Sequence, residues 1–207
     1  MTIKREIIMK TIADSIYNRI LKKGRGWVFT PFDFQDLGSR ESIDQTLSRL
    51  AKKEKIRRVT QGVYDYPKIS RFGEIPTSLM LVAKAIARST QTKIQVSESY
   101  AANVLGLSNQ VPAKIILYTD GTRRVRKVGK QKIIFKQATP KKLVGAGKMS
   151  GLVIQGLRYF GKDRINEKVI NRLKDILKQR DKELLLKEKY ATPIWMQSAI
   201  NQIAGQV

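Results

Sequence analysis

The chain has 207 residues, of which 42% are apolar and 28% are charged, proportions that are ordinary for a globular protein. It carries 41 Lys and Arg residues against 17 Asp and Glu residues, so its formal net charge is +24, and such an excess favours a polyanionic partner. Cys and His are absent, which excludes disulfides, thiolate chemistry, imidazole catalysis and most zinc sites.

The positive charge is concentrated in the middle of the chain. Residues 1–70 carry a net charge of +7, residues 71–150 carry +12, and residues 151–207 carry +5. Because a magnitude of about 2–8 is sufficient for the solubility of a small domain, the middle segment indicates an interaction surface. Nucleic acid is the first candidate for its partner. An acidic protein and a surface that is merely solvated are the alternatives.

The start of the chain has no feature of an export signal. The segment Met1–Glu6 is charged and is not followed by a long apolar run. No stretch of the sequence approaches the eighteen apolar residues that a membrane-spanning helix needs. We therefore expect a cytoplasmic protein that neither crosses nor binds a membrane.

Two helices are predicted before residue 39. Apolar residues recur at helical spacing after Thr11, and Gly24 follows two lysines as a helix end would. Thr30 then precedes Pro31, the residue types that favour the first positions of a helix. The second predicted helix is short and ends at Gly38.

The third predicted helix presents one apolar and one polar face. Ser39 is suited to cap it, and Ile43, Leu47 and Leu50 form the stripe that should face the core. Among the polar side chains, Gln45 suits adenine and Arg49 suits guanine or phosphate. The candidate DNA-binding residues of this helix and its start are Ser39, Arg40, Ser42, Gln45, Ser48, Arg49 and Lys52.

A basic hairpin follows this helix directly. Ile56–Thr60 alternates as a strand does, Gln61-Gly62 is a turn signal, and the returning strand ends before Pro67. The candidate contacts to backbone phosphates are Arg57, Arg58, Thr60 and Gln61. Helices and hairpin together predict a winged helix-turn-helix domain over residues 1–70 that binds double-stranded DNA. A protein-binding winged domain and ordinary solvated side chains are the alternatives.

Residues 71–207 predict a second, mixed domain, so the fold class is α+β with a small antiparallel sheet and several helices. An apolar helix over Pro76–Ala87 opens this domain, and Asp120-Gly121 is a hairpin signal between two of its strands. The predicted strands are Lys93–Val96, Ala113–Tyr118, Arg123–Val128 and Lys132–Gln137. Helices are predicted from Glu98 to Gly106 and after Lys141, the last of them interrupted by Pro193.

The strand over Arg123–Val128 carries basic groups on both faces. Val125 and Lys127 share one face, whereas Arg124, Arg126 and Val128 share the other. The candidate additional nucleic-acid contacts are Arg123, Arg124, Arg126 and Lys127. The alternative is a charged edge strand that is protected against aggregation.

The sequence offers no clear catalytic site. The glycine-rich segment Gly145–Gly151 lacks the spacing between its glycines and a Gly-Lys-Ser/Thr triplet that a phosphate-binding loop requires. The few carboxylates are scattered and form no Asp-x-Asp pair for a metal ion. We therefore expect a protein that is not an enzyme and that uses neither a cofactor nor a metal.

Two segments carry a resemblance to a known family. They are the hairpin from Arg57 to Pro67, which contains Gly62-Val63-Tyr64, and the block from Tyr100 to Pro112, which contains Leu105-Gly106-Leu107. With the predicted helices before them, these segments make the chain resemble AbiE-type abortive-infection antitoxins over most of its length.

The resemblance implies a bacterial type IV antitoxin. Its winged domain would bind operator DNA and repress its own operon, and its second domain would counteract a nucleotidyltransferase-like toxin without a tight complex. The resemblance carries no catalytic residues. We expect a monomer that binds in two copies where the operator is an inverted repeat. The alternatives are a module that binds an acidic partner or the toxin directly, and an RNA-binding accessory factor.

Overall fold

The computed structural model describes residues 11–112 and 114–205 of an α+β protein. The chain divides into two units, one ending at Ser89 and the other beginning at Thr90. The segment Met1–Glu6 and Ala113, the first residue of a predicted strand, lie outside the described residues.

The first unit contains the first and third of the predicted helices, joined by a short strand and a turn. Helix α1 spans Ile12–Lys23, strand β1 spans Val28–Phe29, and helix α2 spans Arg40–Lys52. Ser39 caps α2 as predicted, since it accepts from the amide of Ser42, and Thr11 caps α1 by accepting from the amide of Asp14. The first turn of each helix is therefore stabilised by a residue next to it in the sequence.

The second predicted helix is wrong in type. The segment between β1 and α2 forms only a 3₁₀ turn over Pro31–Phe34. The carboxylate of Asp33 accepts a hydrogen bond from the amide of Thr30, 2.8 Å away, as a cap should. Phe34 is then fully buried, and the turn ends there, because placing this ring in the core redirects the chain before a regular α-helix is formed.

A hairpin and β1 form a three-stranded sheet. Strand β2 spans Arg57–Thr60, strand β3 spans Val63–Asp65, and the order across the sheet is β1-β3-β2 with antiparallel pairing. Gly62 sits in the turn with a φ of 69°, a conformation that favours glycine. The core beneath this sheet contains Ile16, Ile20, Phe29, Phe34, Ile43, Leu47, Ile56 and Tyr64.

A second hairpin and a third helix complete the first unit. Strand β4 spans Ile69–Ser70, strand β5 spans Gly73–Glu74, and helix α3 spans Leu79–Ser89. Helix α3 packs against β1 and β3, and the Arg88 guanidinium donates to Asp33 at 2.6 Å. The unit therefore ends later than the predicted boundary after residue 70, because the apolar face of α3 is buried here.

The second unit contains a four-stranded sheet. Its strands are β6 (Ile94–Val96), β7 (Ile115–Thr119), β8 (Arg124–Val128) and β9 (Gln131–Gln137), in the order β6-β7-β9-β8. Strands β7 and β9 are parallel, whereas the other two pairs are antiparallel. The sheet is therefore mixed and not purely antiparallel as predicted.

The hairpin predicted at Asp120-Gly121 does not form. These residues connect β7 to β8, but β9 lies between the two strands, so no hairpin forms there. The hairpin lies at Gly129, between β8 and β9. Asp120 instead accepts a hydrogen bond from the backbone amide of Lys93 at 2.8 Å, which fastens the end of β7 to the start of β6.

In the described residues of the second unit, five α-helices accompany the sheet. They are α4 (Glu98–Val104), α5 (Met149–Phe160), α6 (Glu167–Ile176), α7 (Gln179–Glu188) and α8 (Ile194–Ala204). Pro193 precedes α8, as expected for a proline at the start of a helix. The core contains Leu157, Leu173, Leu185 and Ile200, all fully buried. Among the described residues, no helix is long and apolar enough to span a membrane.

Candidate nucleic-acid interface

Helix α2 is amphipathic, with its polar face turned to solvent. Ile43 and Leu47 are buried in the core of the first unit. Four of the predicted DNA-binding residues on the opposite side are exposed, namely Gln45, Ser48, Arg49 and Lys52. The face that the spacing predicted for a groove is therefore exposed to solvent.

The predicted residues at the start of α2 make local hydrogen bonds. The Ser39 hydroxyl accepts from the amide of Ser42 at 3.3 Å and lies 3.0 Å from the Ser42 hydroxyl. Arg40 forms an exposed ion pair with Asp44 at 2.8 Å. Ser39 and Ser42 thus have a capping role, and the charge of Arg40 is balanced within its own helix.

Side chains further along α2 have fewer partners within the protein. The Gln45 amide donates weakly to Glu41, at 3.4 Å. Within the described ranges 11–112 and 114–205, the side chains of Arg49 and Lys52 make no hydrogen bond or ion pair. Exposed cations without a partner are suited to phosphate oxygens, because no internal ion pair must be broken to bind them.

Arg57 and Arg58 point in opposite directions. The Arg57 guanidinium donates to Asp65 at 2.7 and 3.1 Å and to Glu74 at 2.9 Å. It also reaches the Ile75 carbonyl and the Thr77 hydroxyl. Hydrogen bonding to Asp65, the largest cause, raises the pKa of Arg57 above its already high value. Since Asp65 is only 2% exposed, Arg57 serves the fold and its donors are not available to DNA.

Arg58 and the hairpin tip remain accessible. Arg58 pairs with Tyr64 across the hairpin and is exposed. The tip residue Gln61 is exposed and Thr60 is half-buried. Alternation along β2 explains why Arg58 faces out while its neighbour Arg57 faces in.

The charges at this surface leave a positive excess. The two carboxylates of α2 are each engaged, Asp44 with Arg40 and Glu41 with Gln45. Lys53, directly after α2, is also exposed. Sequence reasoning did not single out Lys53, although the run Lys52-Lys53-Glu54-Lys55 was a signal for it.

The basic strand of the second unit is β8, and it lies at an edge of the sheet. Arg124 and Arg126 are half-buried, opposite the buried residues Phe135 and Ile133 of β9. Their stems therefore cover apolar surface, and the Arg124 guanidinium lies 6.0 Å from the Phe135 ring. Arg123 and Lys127 are exposed. The position of β8 at the edge and its outward-facing charges are consistent with both interpretations of this strand. It could protect the edge of the sheet against aggregation, or it could contact a polyanion.

The glycine-rich segment before α5 has a packing role. A side chain at Gly145 would meet the backbone of Gly151, 2.5 Å away, and one at Gly151 would meet the Gly145 carbonyl. Small residues at both positions let the loop approach the first turn of α5. In the described part of the chain, no group of three or more acidic side chains is arranged to hold a metal ion.

Comparisons with known proteins identify a family and a distant structural neighbour. The model of a family described as "Family of unknown function (DUF6088)" matches residues 15–185. No curated protein matches the chain. The crystal structure of RV2827C protein from Mycobacterium tuberculosis has a TM-score of 0.42 and 12% sequence identity, over 94% of this chain and 76% of that chain.

Proposed function

This chain belongs to the DUF6088 family, and we propose that its first unit is a winged helix-turn-helix domain that binds operator DNA. In this proposal, α2 enters the major groove and the β2–β3 hairpin contacts the adjacent backbone. Gln45 and Arg49 read bases, whereas Ser48, Lys52 and Arg58 contact phosphates.

The order of elements supports the winged interpretation. A helix, a short strand, a turn, a second helix and a hairpin follow one another, and the short strand closes the sheet beside the hairpin. The 3₁₀ turn over Pro31–Phe34 occupies the position of the middle helix. A helix about 10–12 Å in diameter fits a major groove about 12 Å wide.

One observation carries the proposal. The solvent face of α2 and the outer side of the strand that follows it present exposed groups of one sign, namely Arg49, Lys52 and Arg58. These three have no ion-pair partner among the described residues. Of the nearby carboxylates, Asp44 is paired with Arg40, whereas Glu41 and Glu54 are exposed, and the exposed basic residues Arg49, Lys52, Lys53, Lys55 and Arg58 outnumber these two anions.

A competition gel shift tests which residues read the sequence. Replacing Gln45 and Arg49 together by Ala should lower the preference for the operator over random DNA by at least about tenfold, because each good base contact contributes about 1–3 kcal/mol. Total affinity for random DNA should fall less. The matched control is Gln179→Ala with Arg180→Ala, which removes the same side chains from the start of α7. Normal operator selection by the first variant would show that α2 is not the reader.

We further propose, from the resemblance to AbiE-type antitoxins, that the protein represses its own operon and counteracts a nucleotidyltransferase-like toxin. No residue of this chain has a catalytic role in that proposal, and no cofactor is needed. Operator binding implies a cytoplasmic location. The second unit, with 23 basic and 8 acidic residues over positions 90–207, is the candidate for the antitoxin role.

Co-expression tests this part of the proposal. A nucleotidyltransferase-like gene beside this one should arrest growth when expressed alone, and the full chain should restore growth. Recovery of both proteins as a stable complex at high salt would replace the type IV arrangement by direct binding. Tighter binding of structured RNA than of duplex DNA by the purified chain would favour the RNA-binding alternative. Failure of the chain to restore growth would contradict the antitoxin proposal.

A further inference from the structure

Exposed apolar residues of the first unit are concentrated on its second hairpin and the start of α3. Six large apolar residues are exposed in the described part of this unit, and four of them lie between positions 69 and 81. These four are Ile69, Phe72, Ile75 and Leu81. A single exposed apolar residue needs no explanation, but several of them close together make this surface a candidate interaction site.

Phe72 is a projecting knob at the tip of the β4–β5 hairpin. Its side chain is 85% exposed, and the Arg71 guanidinium lies 4.7 Å from its ring centroid. The tip is held in one shape, since the Ser70 hydroxyl accepts from the Phe72 amide at 3.2 Å and donates to the Gly73 carbonyl at 3.1 Å. A backbone that is already held in one shape loses less conformational entropy on docking than a mobile loop does.

The base of the same hairpin is fixed to the rest of the unit. Glu74 forms an ion pair with Arg57 at 2.9 Å, and the Ile75 amide donates to the Lys68 carbonyl at 2.8 Å. Arg57 is itself bound to the buried Asp65. The position of the knob is therefore set by contacts that extend into the three-stranded sheet.

A cavity of about 170 Å³ lies beside this base. Its lining includes the apolar residues Ile75, Pro76 and Leu81, and the remaining residues that line it are Gly26, Asp65, Lys68, Thr77 and Ser78. An apolar cavity of about 150 Å³ is large enough to bind benzene. The cavity is thus the size of a phenyl ring, and Phe72 of its own chain does not fill it, because that ring projects into solvent.

We propose that this surface is a self-association site, in which Phe72 of one copy enters the cavity of a second copy and the second copy returns the same contact. Phe72 and Ile75 are three residues apart, so the knob and the cavity are within about 10 Å along the hairpin. A two-fold axis between them brings both exchanged contacts into one small, isologous interface.

A second copy fits this surface because the knob and the cavity occur on the same chain. The charges at the contact are of both signs, since Arg71 of one copy would approach Glu74 of the other, a carboxylate that Arg57 already contacts, and also Lys68 in the cavity lining. The interface is small, so the association is weak in solution and strengthens when neighbouring sites hold two copies together. The self-association itself does not depend on DNA binding.

Cysteine cross-linking without DNA tests the proposal, because the full chain contains no Cys. Arg71→Cys marks the tip and Ser78→Cys marks the cavity, and both variants retain Phe72 and Leu81. Under mild oxidation, a mixture of the two should give the mixed disulfide, identified by mass, at least about tenfold more often than a mixture of Arg71→Cys with Val125→Cys. Val125 is a matched exposed position, on β8 of the second unit.

Adding Phe72→Ser to both cysteine variants should reduce the mixed product to the level of the Val125 control, since burial of the ring contributes at least about tenfold in affinity. Circular dichroism should show the Phe72→Ser chain to be folded, because the replaced side chain is exposed. A mixed product that does not exceed the control, or that is unchanged by Phe72→Ser, would overturn the proposal. Normal operator binding in either case would leave the proposed function standing.

Discussion

At the scale of single residues, Arg57 and Arg58 show how neighbours of the same type acquire different roles. Arg57 satisfies the buried carboxylate of Asp65, whereas Arg58 stands in solvent. The difference follows from the two-residue repeat of a strand, which sends adjacent side chains to opposite faces. A pair that the sequence assigned to phosphate contacts thus divides into Arg57, which stabilises the fold, and Arg58, which stays exposed and is available for the proposed contact with DNA.

We expect Arg57→Ala to lower the free energy of unfolding of the first unit by about 3 kcal/mol, because it leaves Asp65 buried without its cation. Arg58→Ala should change that free energy by no more than about 0.5 kcal/mol. Urea denaturation of the two variants and the parent chain measures both values. If Arg57→Ala and Arg58→Ala lowered the free energy of unfolding equally, the ion pair of Arg57 with Asp65 would contribute no more to stability than the exposed Arg58 side chain.

At the scale of elements, the start of α2 combines capping with a position near the proposed groove. The Ser39 hydroxyl accepts from the amide of Ser42, and Asp caps a helix as well as Ser does. The negative charge of Asp, in contrast, repels phosphate. A pair of substitutions at this one position therefore separates the stability of the helix from its contact with DNA.

Ser39→Ala should cost about 1 kcal/mol of stability because the cap is removed, with little effect on the operator affinity of the folded protein. Ser39→Asp should keep the stability within about 0.5 kcal/mol of the parent chain and weaken operator binding severalfold. Thermal unfolding and a fluorescence anisotropy titration measure the two quantities. Undiminished DNA affinity of Ser39→Asp would remove the start of α2 from the interface.

The elements were predictable where their signals are local. Helix α2 follows from the Ser39 cap and the stripe of Ile43 and Leu47, and the β2–β3 hairpin follows from its Gln61-Gly62 turn. The helix predicted between β1 and α2 was wrong because burial of Phe34 overrides its local start signals. The Asp120-Gly121 hairpin was wrong because turn residues do not determine which strand becomes the neighbour; in the structure β9 takes the place beside β7.

At the scale of the whole molecule, charge is divided between two units. The first, up to Ser89, has 18 basic and 9 acidic residues, and the second has 23 and 8. The first unit carries the proposed reading helix and the smaller charge excess. In the proposed function, the unit that selects the operator sequence therefore need not be the unit that contributes most to the electrostatic attraction of DNA.

We expect a fragment of residues 1–89 to fold and to select the operator as the full chain does, because helix α3 and its Arg88 contacts are retained. The salt dependence of its affinity should be shallower if the second unit also binds DNA, by about 0.9 in log-log slope for each phosphate that the fragment no longer neutralises. Affinity measured over a range of salt concentrations gives this slope. A fragment ending at residue 70 is the control, and it should be unstable because it lacks α3.

The sequence by itself determined the charge, the absence of Cys and His, the α+β class and the local course of α2 and its hairpin. These depend on composition and on contacts between residues close in the chain. Tertiary structure alone decided that Arg57 is inward, that α3 belongs to the first unit, and that β9 separates β7 from β8. It also decided that a cavity lies beside the base of the hairpin that carries Phe72. Each of these depends on contacts between residues distant in sequence or on the space left between them, and neither quantity is encoded in the pattern of any single segment.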